Sequence, residues 1–209
     1  MSTLLVTGAS GKLGNLAAKT LLAANKSHKI IAASRNPAKL ADLAALGAET
    51  RALDFEDAAT LASAFAGVDR ALIVSSDALD KPGRRIAQHK NAIEAAAKAG
   101  VKQVVYTSNT NAVASSVVLV NVDHHATEQA LEASTLGYTI LRDNLYADNF
   151  LQSLPYAIAS GKWFAAAGDG AIGYVARADA AAAAAAALAS DFDGRRTLDI
   201  TGPAALTHT

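Results

Sequence analysis

Apolar positions along this chain gather in short continuous runs, and most runs are followed by a stretch of helical period. The runs are TLLVT (3–7), KIIAAS (29–34), ETRALD (49–54), RALIVSS (70–76), VKQVVYTS (101–108) and YTILR (138–142). Strands of this kind, continuous rather than alternating, are covered on both faces, as in a parallel sheet between helices. The intervening segments predict helices over 12–24, 36–47, 57–66, 82–100 and 123–134. Pro37 suits a first helical turn, and Gly47 and Gly100 suit helix ends. Alternation of this kind predicts a doubly wound, Rossmann-type α/β fold, a parallel sheet flanked by helices.

Past Arg142 the rhythm breaks. WFAAAGDGAIGYV (163–175) reads as short strands around a Gly-Asp-Gly turn, and RTLDITG (196–202) as a last strand. ADAAAAAAAALAS (178–190) reads as a structural helix, since alanine is the best helix former, with Asp179 as its N-cap. Thr207 resembles a helix N-cap with no helix behind it, so the C-terminal portion reads as truncated at Thr209.

The first strand runs into VTGASGKLG, where Gly8, Gly11 and Gly14 fall three apart before a helix. In that setting the first glycine allows a tight turn, the second lets the backbone approach a pyrophosphate, and the third lets helix pack on strand. The helix N-terminus adds free N–H groups and partial positive charge. Ser10, Lys12 and Leu13 are expected to line the same loop. Nucleotide binding is the reading this supports, over a merely structural turn. An NAD site would place an acid at the end of the second strand. This one ends AASRNPAK, with Arg35 where a ribose 2′-phosphate would sit. A bidentate guanidinium–phosphate pair is worth roughly 1.5–3 kcal/mol, which favours NADPH by about tenfold or more, with NADH as the weaker coenzyme. Lys39 adds to the positive field. Ser75, Ser76 and Asp77 follow the fourth strand on the cofactor side; Asp54 either borders the adenine or caps the next helix. The expected organisation is an NAD(P)-binding domain over 1–150 and a substrate-side segment over 151–209, packed as one unit.

Composition narrows the classes. Half of the 209 residues are hydrophobic (51%), enough for a sizeable core, and 19 Lys plus Arg balance 19 Asp plus Glu, so nothing global favours nucleic acid. The absence of cysteine excludes disulfides, thiolate catalysis and cysteine-ligated metals. No metal site is expected: DHH (123–125) sets ligand types side by side, but adjacent helical residues do not face one another. No apolar run reaches membrane-spanning length and no secretory signal is visible, so a cytoplasmic protein is expected, its oligomeric state left open.

Together VTGASGKLG, SRNPAK, VVYTS, HHATEQAL, TILRDNLYADNF, AAGDGAI and ARADAAAAA resemble, in order and over the whole chain, the NmrA-like family of atypical short-chain dehydrogenases, and within it the bacterial type-2 NAD(P)H:quinone oxidoreductases. Members are typically longer, with a C-terminal segment that walls the substrate cleft. The superfamily's Tyr-x-x-x-Lys pair is absent: alignment on HATE puts Val120 and His124 at those positions. That suits a quinone, whose reduction yields a phenolate with a pKa of about 10 and needs no strong acid. Candidate catalytic residues are His124, as a proton donor or ribose contact, and Tyr146 and Asn149 just past strand six. The resemblance sets Asp143, Asn144, Leu145 and Tyr146 around nicotinamide and ribose, and Ser108 where the superfamily's serine stands. Arg177 either reaches the cofactor or pairs with Asp179. Trp163 and Phe164 lie at the substrate end or in the core. Two functions compete: NADPH-dependent reduction of a quinone or similar small acceptor, flavins and aromatic heterocycles included, or an NmrA-type redox sensor that binds dinucleotide without turnover.

Overall fold

The computed structural model describes residues 2–24, 27–164 and 168–207. Among them seven strands form one sheet: β1 (Thr3–Val6), β2 (Lys29–Ser34), β3 (Glu49–Ala52), β4 (Arg70–Ile73), β5 (Gln103–Asn109), β6 (Gly137–Asp143) and β7 (Arg195–Ile200). Their order is β3-β2-β1-β4-β5-β6-β7, and every pairing is parallel. The helices are α1 (Lys12–Ala24), α2 (Ala41–Ala45), α3 (Ala58–Phe65), α4 (Arg84–Lys98), α5 (Leu119–Glu132), α6 (Phe150–Ser160) and α7 (Arg177–Ala189). No helix of the described residues is long and apolar enough to cross a membrane.

Strand side chains alternate between faces, and this divides the core. Leu4 and Val6 of β1 join a cluster with Ala17 and Ala18 of α1 and Ala181, Ala184 and Leu188 of α7. Leu5, between them, points the other way into a cluster with Leu61 and Phe65 of α3, Ile93 of α4 and Leu131 of α5. The alanine run of α7 works as packing surface: small side chains on α1 and α7 let the two helices lie close against the same face. The order of strand addition reverses between β1 and β4, whose carboxyl ends frame the crevice where such sheets take ligands.

The structure departs from expectation in five elements. The 36–47 helix opens as a 3-10 turn over Pro37–Leu40, because the Asn36 side chain accepts from the Ala38 N–H and tightens the entry. Helix α5 begins at Leu119, before Asp123. Helix α6 has no counterpart in the strand–helix rhythm and buries none of its residues, so periodicity carried no trace of a packed face. Over 163–175 no strand forms among the described residues; Ile172 and Val175 make isolated bridges to Leu206 and Tyr146, and 165–167 lie outside them, as does Thr209. Asp179 falls within the first turn of α7, whose N-cap is Ala176.

Candidate functional site

Gly8 follows β1 with φ of 59°, left-handed backbone that glycine adopts without strain. The turn closes when the Gly11 N–H donates to the Gly8 carbonyl at 2.9 Å, delivering the chain into α1. Gly14 lies beneath that carbonyl: a β-carbon on it would stand 2.8 Å from the Gly8 carbonyl carbon and closer still to its oxygen. The exposed N–H end of α1 therefore faces a cavity of about 620 Å³.

Gly8, Ser10, Gly11, Lys12, Leu13 and Gly14 line this cavity from β1, Arg35 from β2, and Ser75, Ser76 and Asp77 from β4. Arg35 is exposed to it and has no hydrogen-bond or ion-pair partner among the described residues. That is the setting in which a guanidinium takes a phosphate. Asp54 lines the cavity while its carboxylate accepts from the Glu56 N–H at 3.0 Å; the α3 cap is Asp57. Lys39 is exposed outside the lining. The cradle fits a dinucleotide: a turn only glycine can make, a helix N-terminus, and an unpaired cation at the end of β2 where no acid stands. Sequence reasoning missed Phe55, Leu79, Asp80, Arg84 and Gln88, which also line it.

A second group collects past β6. Tyr146 Oη donates to Asp143 Oδ2 at 2.6 Å. Burial pushes the Asp143 carboxyl up to about 6, against the pull of that bond. Asp143 Oδ1 is buried without a hydrogen-bond partner. Burial, with this carboxylate beside it, pushes the Tyr146 phenol well up. The Arg177 guanidinium lies 5.2 Å from the centre of the Tyr146 ring and donates to Asn149 Oδ1 at 2.9 Å. Its ion-pair partner is Asp148, at 3.3 Å, and not Asp179. Asn144 Oδ1 accepts from the Leu145 N–H, and the Leu145 side chain is exposed. None of these residues lines the glycine-loop cavity. The Arg177 N–H first, then the Arg177 charge and last the Lys12 charge, hold Asp148 below the usual carboxylate range, and Lys12 so relates the two groups. Trp163 packs on Phe150, with ring centres 5.4 Å apart, and Phe164 is exposed.

Two expected site residues face the interior instead. His124 is buried against Tyr106 and Arg85. Arg85 donates to its Nε2 at 3.0 Å, so the proton sits on Nδ1, which bonds the Tyr106 hydroxyl at 2.8 Å. Burial first, then the Arg85 charge, drives its pKa down to about 3. A neutral, enclosed imidazole is no proton donor to an acceptor. Ser108 is likewise buried, and its hydroxyl donates to Glu128 Oε1 at 2.6 Å. Arg142 occupies both oxygens of that carboxylate, at 3.0 and 2.6 Å. Ser108 therefore belongs to a core polar cluster.

The model of the NAD(P)H-binding family matches residues 8–191. Quinone oxidoreductase 2 of Escherichia coli K12 is 40% identical over 204 residues, covering 98% of this chain and 70% of the relative. Among solved structures, the NADPH-dependent quinone oxidoreductase of Escherichia coli complexed with NADPH superposes with a TM-score of 0.90 at 39% identity, covering 98% of this chain and 71% of the other. The Citrobacter sp. triphenylmethane reductase complexed with NADP(H) superposes with a TM-score of 0.89 at 35% identity, covering 99% and 72%.

Proposed function

The chain belongs to the NAD(P)H-binding family, and from that premise we propose that it is an NADPH-dependent oxidoreductase that reduces a quinone. The observation that carries the reading is the glycine-loop cavity with Arg35 unpaired on its wall. Bound there, NADPH supplies hydride to the acceptor. The loop amides and the α1 terminus take the pyrophosphate, and Arg35 takes the 2′-phosphate. The Tyr146 ring is oriented by Asp143 at its hydroxyl and by Arg177 over its face. Its proton is committed to Asp143, so it orients and excludes water more than it protonates. That suffices for a product that leaves as a phenolate. Arg177 and Asn149 brace the same segment. The proposed substrate is a small molecule, and the proposed compartment is the cytoplasm.

Loss of NADPH absorbance on adding a soluble quinone tests the reaction. NADPH binding without turnover would select the sensor reading instead. Arg35→Ala is expected to lower the NADPH over NADH preference by about tenfold or more, read as the ratio of dissociation constants. An unchanged ratio removes Arg35 from the site. Tyr146→Phe is expected to lower kcat by less than about tenfold, below the usual range for loss of a general acid. A fall of about a thousandfold would make the hydroxyl an obligatory donor.

A further inference from the structure

Helix α4 begins with Arg84 and Arg85 and has no acid in its first turn. Cations are disfavoured at a helix N-terminus, where the backbone already presents positive charge. Both arginines are met by acceptors outside the helix, and each of them reaches the same short piece of chain. The piece is Ser76–Asp80, an irregular segment between β4 and α4, every residue of which lines the cavity opposite Arg35 and Phe55.

Its inner end is held by Arg85. The Nε donates to the Ser76 carbonyl at 2.7 Å, while the Ser76 N–H donates to His89 Nε2 at 2.9 Å. Arg85 is buried and fastened in turn to α5, through the Val120 carbonyl at 3.4 Å and His124. Its outer end is held by Arg84. One edge of that guanidinium donates to both Asp80 oxygens, at 3.0 and 2.9 Å. The other edge donates to both Glu56 oxygens, at 2.5 and 2.8 Å. Gln88 adds a third donor to Glu56 at 2.9 Å. Glu56 follows Phe55 in the loop after β3, and β2 and β1 separate β3 from β4 in the sheet. Arg84 thus joins two walls of the cavity that the sheet keeps apart.

We propose that Arg84 and Arg85 are positioning residues of the coenzyme cleft, clamping the Ser76–Asp80 wall at its two ends in the shape that receives the adenosine half of NADPH. The inference rests on the coenzyme reading above. A wall already ordered spares the ligand the entropy of ordering it. Loss of the clamp therefore appears in binding and release of NADPH, and much less in the chemical step.

The Arg84 side chain is 36% exposed, so its replacement leaves the core intact. Arg84→Gln is expected to raise the calorimetric dissociation constant for NADPH about tenfold, raise its release rate in stopped flow alike, and leave kcat at saturating NADPH within about twofold. Glu56→Gln is expected to match it, and the double variant to add no further loss, since both break one clamp. Arg84→Lys, which keeps the charge, is expected to recover most of the affinity. Arg85→Lys, which keeps the buried charge and loses the Nε donor, is expected to weaken binding to a similar degree. A role confined to stability would lower the melting temperature and leave the dissociation constant alone. The proposal is overturned if Arg84→Gln and Glu56→Gln both bind NADPH within about threefold of the parent. A parent protein that does not bind NADPH overturns the coenzyme reading instead.

Discussion

Gly14→Ala is expected to reduce NADPH affinity on the order of a hundredfold, the loss that follows when a site is misplaced by roughly 1 Å. The new β-carbon would overlap the Gly8 carbonyl, a backbone group at the centre of the phosphate loop, with the Ala9 Cα a further 3.1 Å neighbour. No rotamer relieves a clash between a β-carbon and backbone. Either α1 moves off the sheet or the loop opens, and both displace the amides proposed to meet the pyrophosphate. Overpacking of this kind also costs about 1–3 kcal/mol of stability. Gly11→Ala separates strain from crowding: its β-carbon would meet the same oxygen at 3.2 Å, a contact that relaxes by a few tenths of an ångström, so affinity lost there without lost stability reads as a methyl group held against the pyrophosphate. Calorimetric titration of both variants decides the matter. Gly14→Ala binding within about threefold of the parent would show that α1 has room to move.

The second large effect is acid lability. His89 and His124 are both buried and held neutral, His89 with its pKa well below the ordinary value, chiefly through burial, and His124 at about 3. Unfolded, each titrates near 6.5. A folded pKa depressed below the unfolded one gives stability that is present above about 6.5 and lost as pH falls beneath it. At about 1.36 kcal/mol per pH unit, His124 forfeits about 2 kcal/mol between pH 7 and 5, and His89 acts in the same direction. Asp143 opposes them. Its folded pKa, about 6, is raised, so it destabilises at neutral pH and returns about 1.3 kcal/mol as pH falls to 5. The two histidines together outweigh that return, so stability falls from pH 7 to 5, against a typical total of about 5–15 kcal/mol. Denaturant midpoints at pH 7 and 5 measure it. The His89→Gln/His124→Gln protein is expected to gain a little stability from pH 7 to 5, because Asp143 then acts alone, and Asp143→Asn to show a steeper loss than the parent. A parent curve flat from pH 7 to 5 would contradict the account.

The glycine loop and the strand–helix alternation were legible because both are local: the turn, the helix start and the apolar runs are written in consecutive residues. Ser108 and His124 were misplaced because each depends on which way a side chain faces. Ser108 and its neighbour Thr107 lie on opposite sides of β5. Thr107 Oγ1 accepts from the Ser75 N–H on the cleft side, and Ser108 turns to Glu128. His124 belongs to an inward stripe of Asn121, His124, Thr127, Glu128 and Leu131. Its spacing is that of a buried helix face, but four of its five members are polar, so hydropathy carried no mark of its burial. Arg84 carried a visible anomaly, a cation at a helix start, whose meaning depended on Glu56, far away along the chain. Helix α6 exposes Leu151, Tyr156 and Ile158, so it has no inward face for a pattern to reveal.

The strand order has a consequence for synthesis. Residues of β1 pair with β2 almost at once, Leu4 with Ile30, but Leu4 meets Arg70 of β4 only after β3 and α3 have been made. A chain leaving the ribosome therefore possesses its phosphate-binding turn well before it possesses a crevice, and the first three strands expose the open flank of β1 until β4 emerges to seal it.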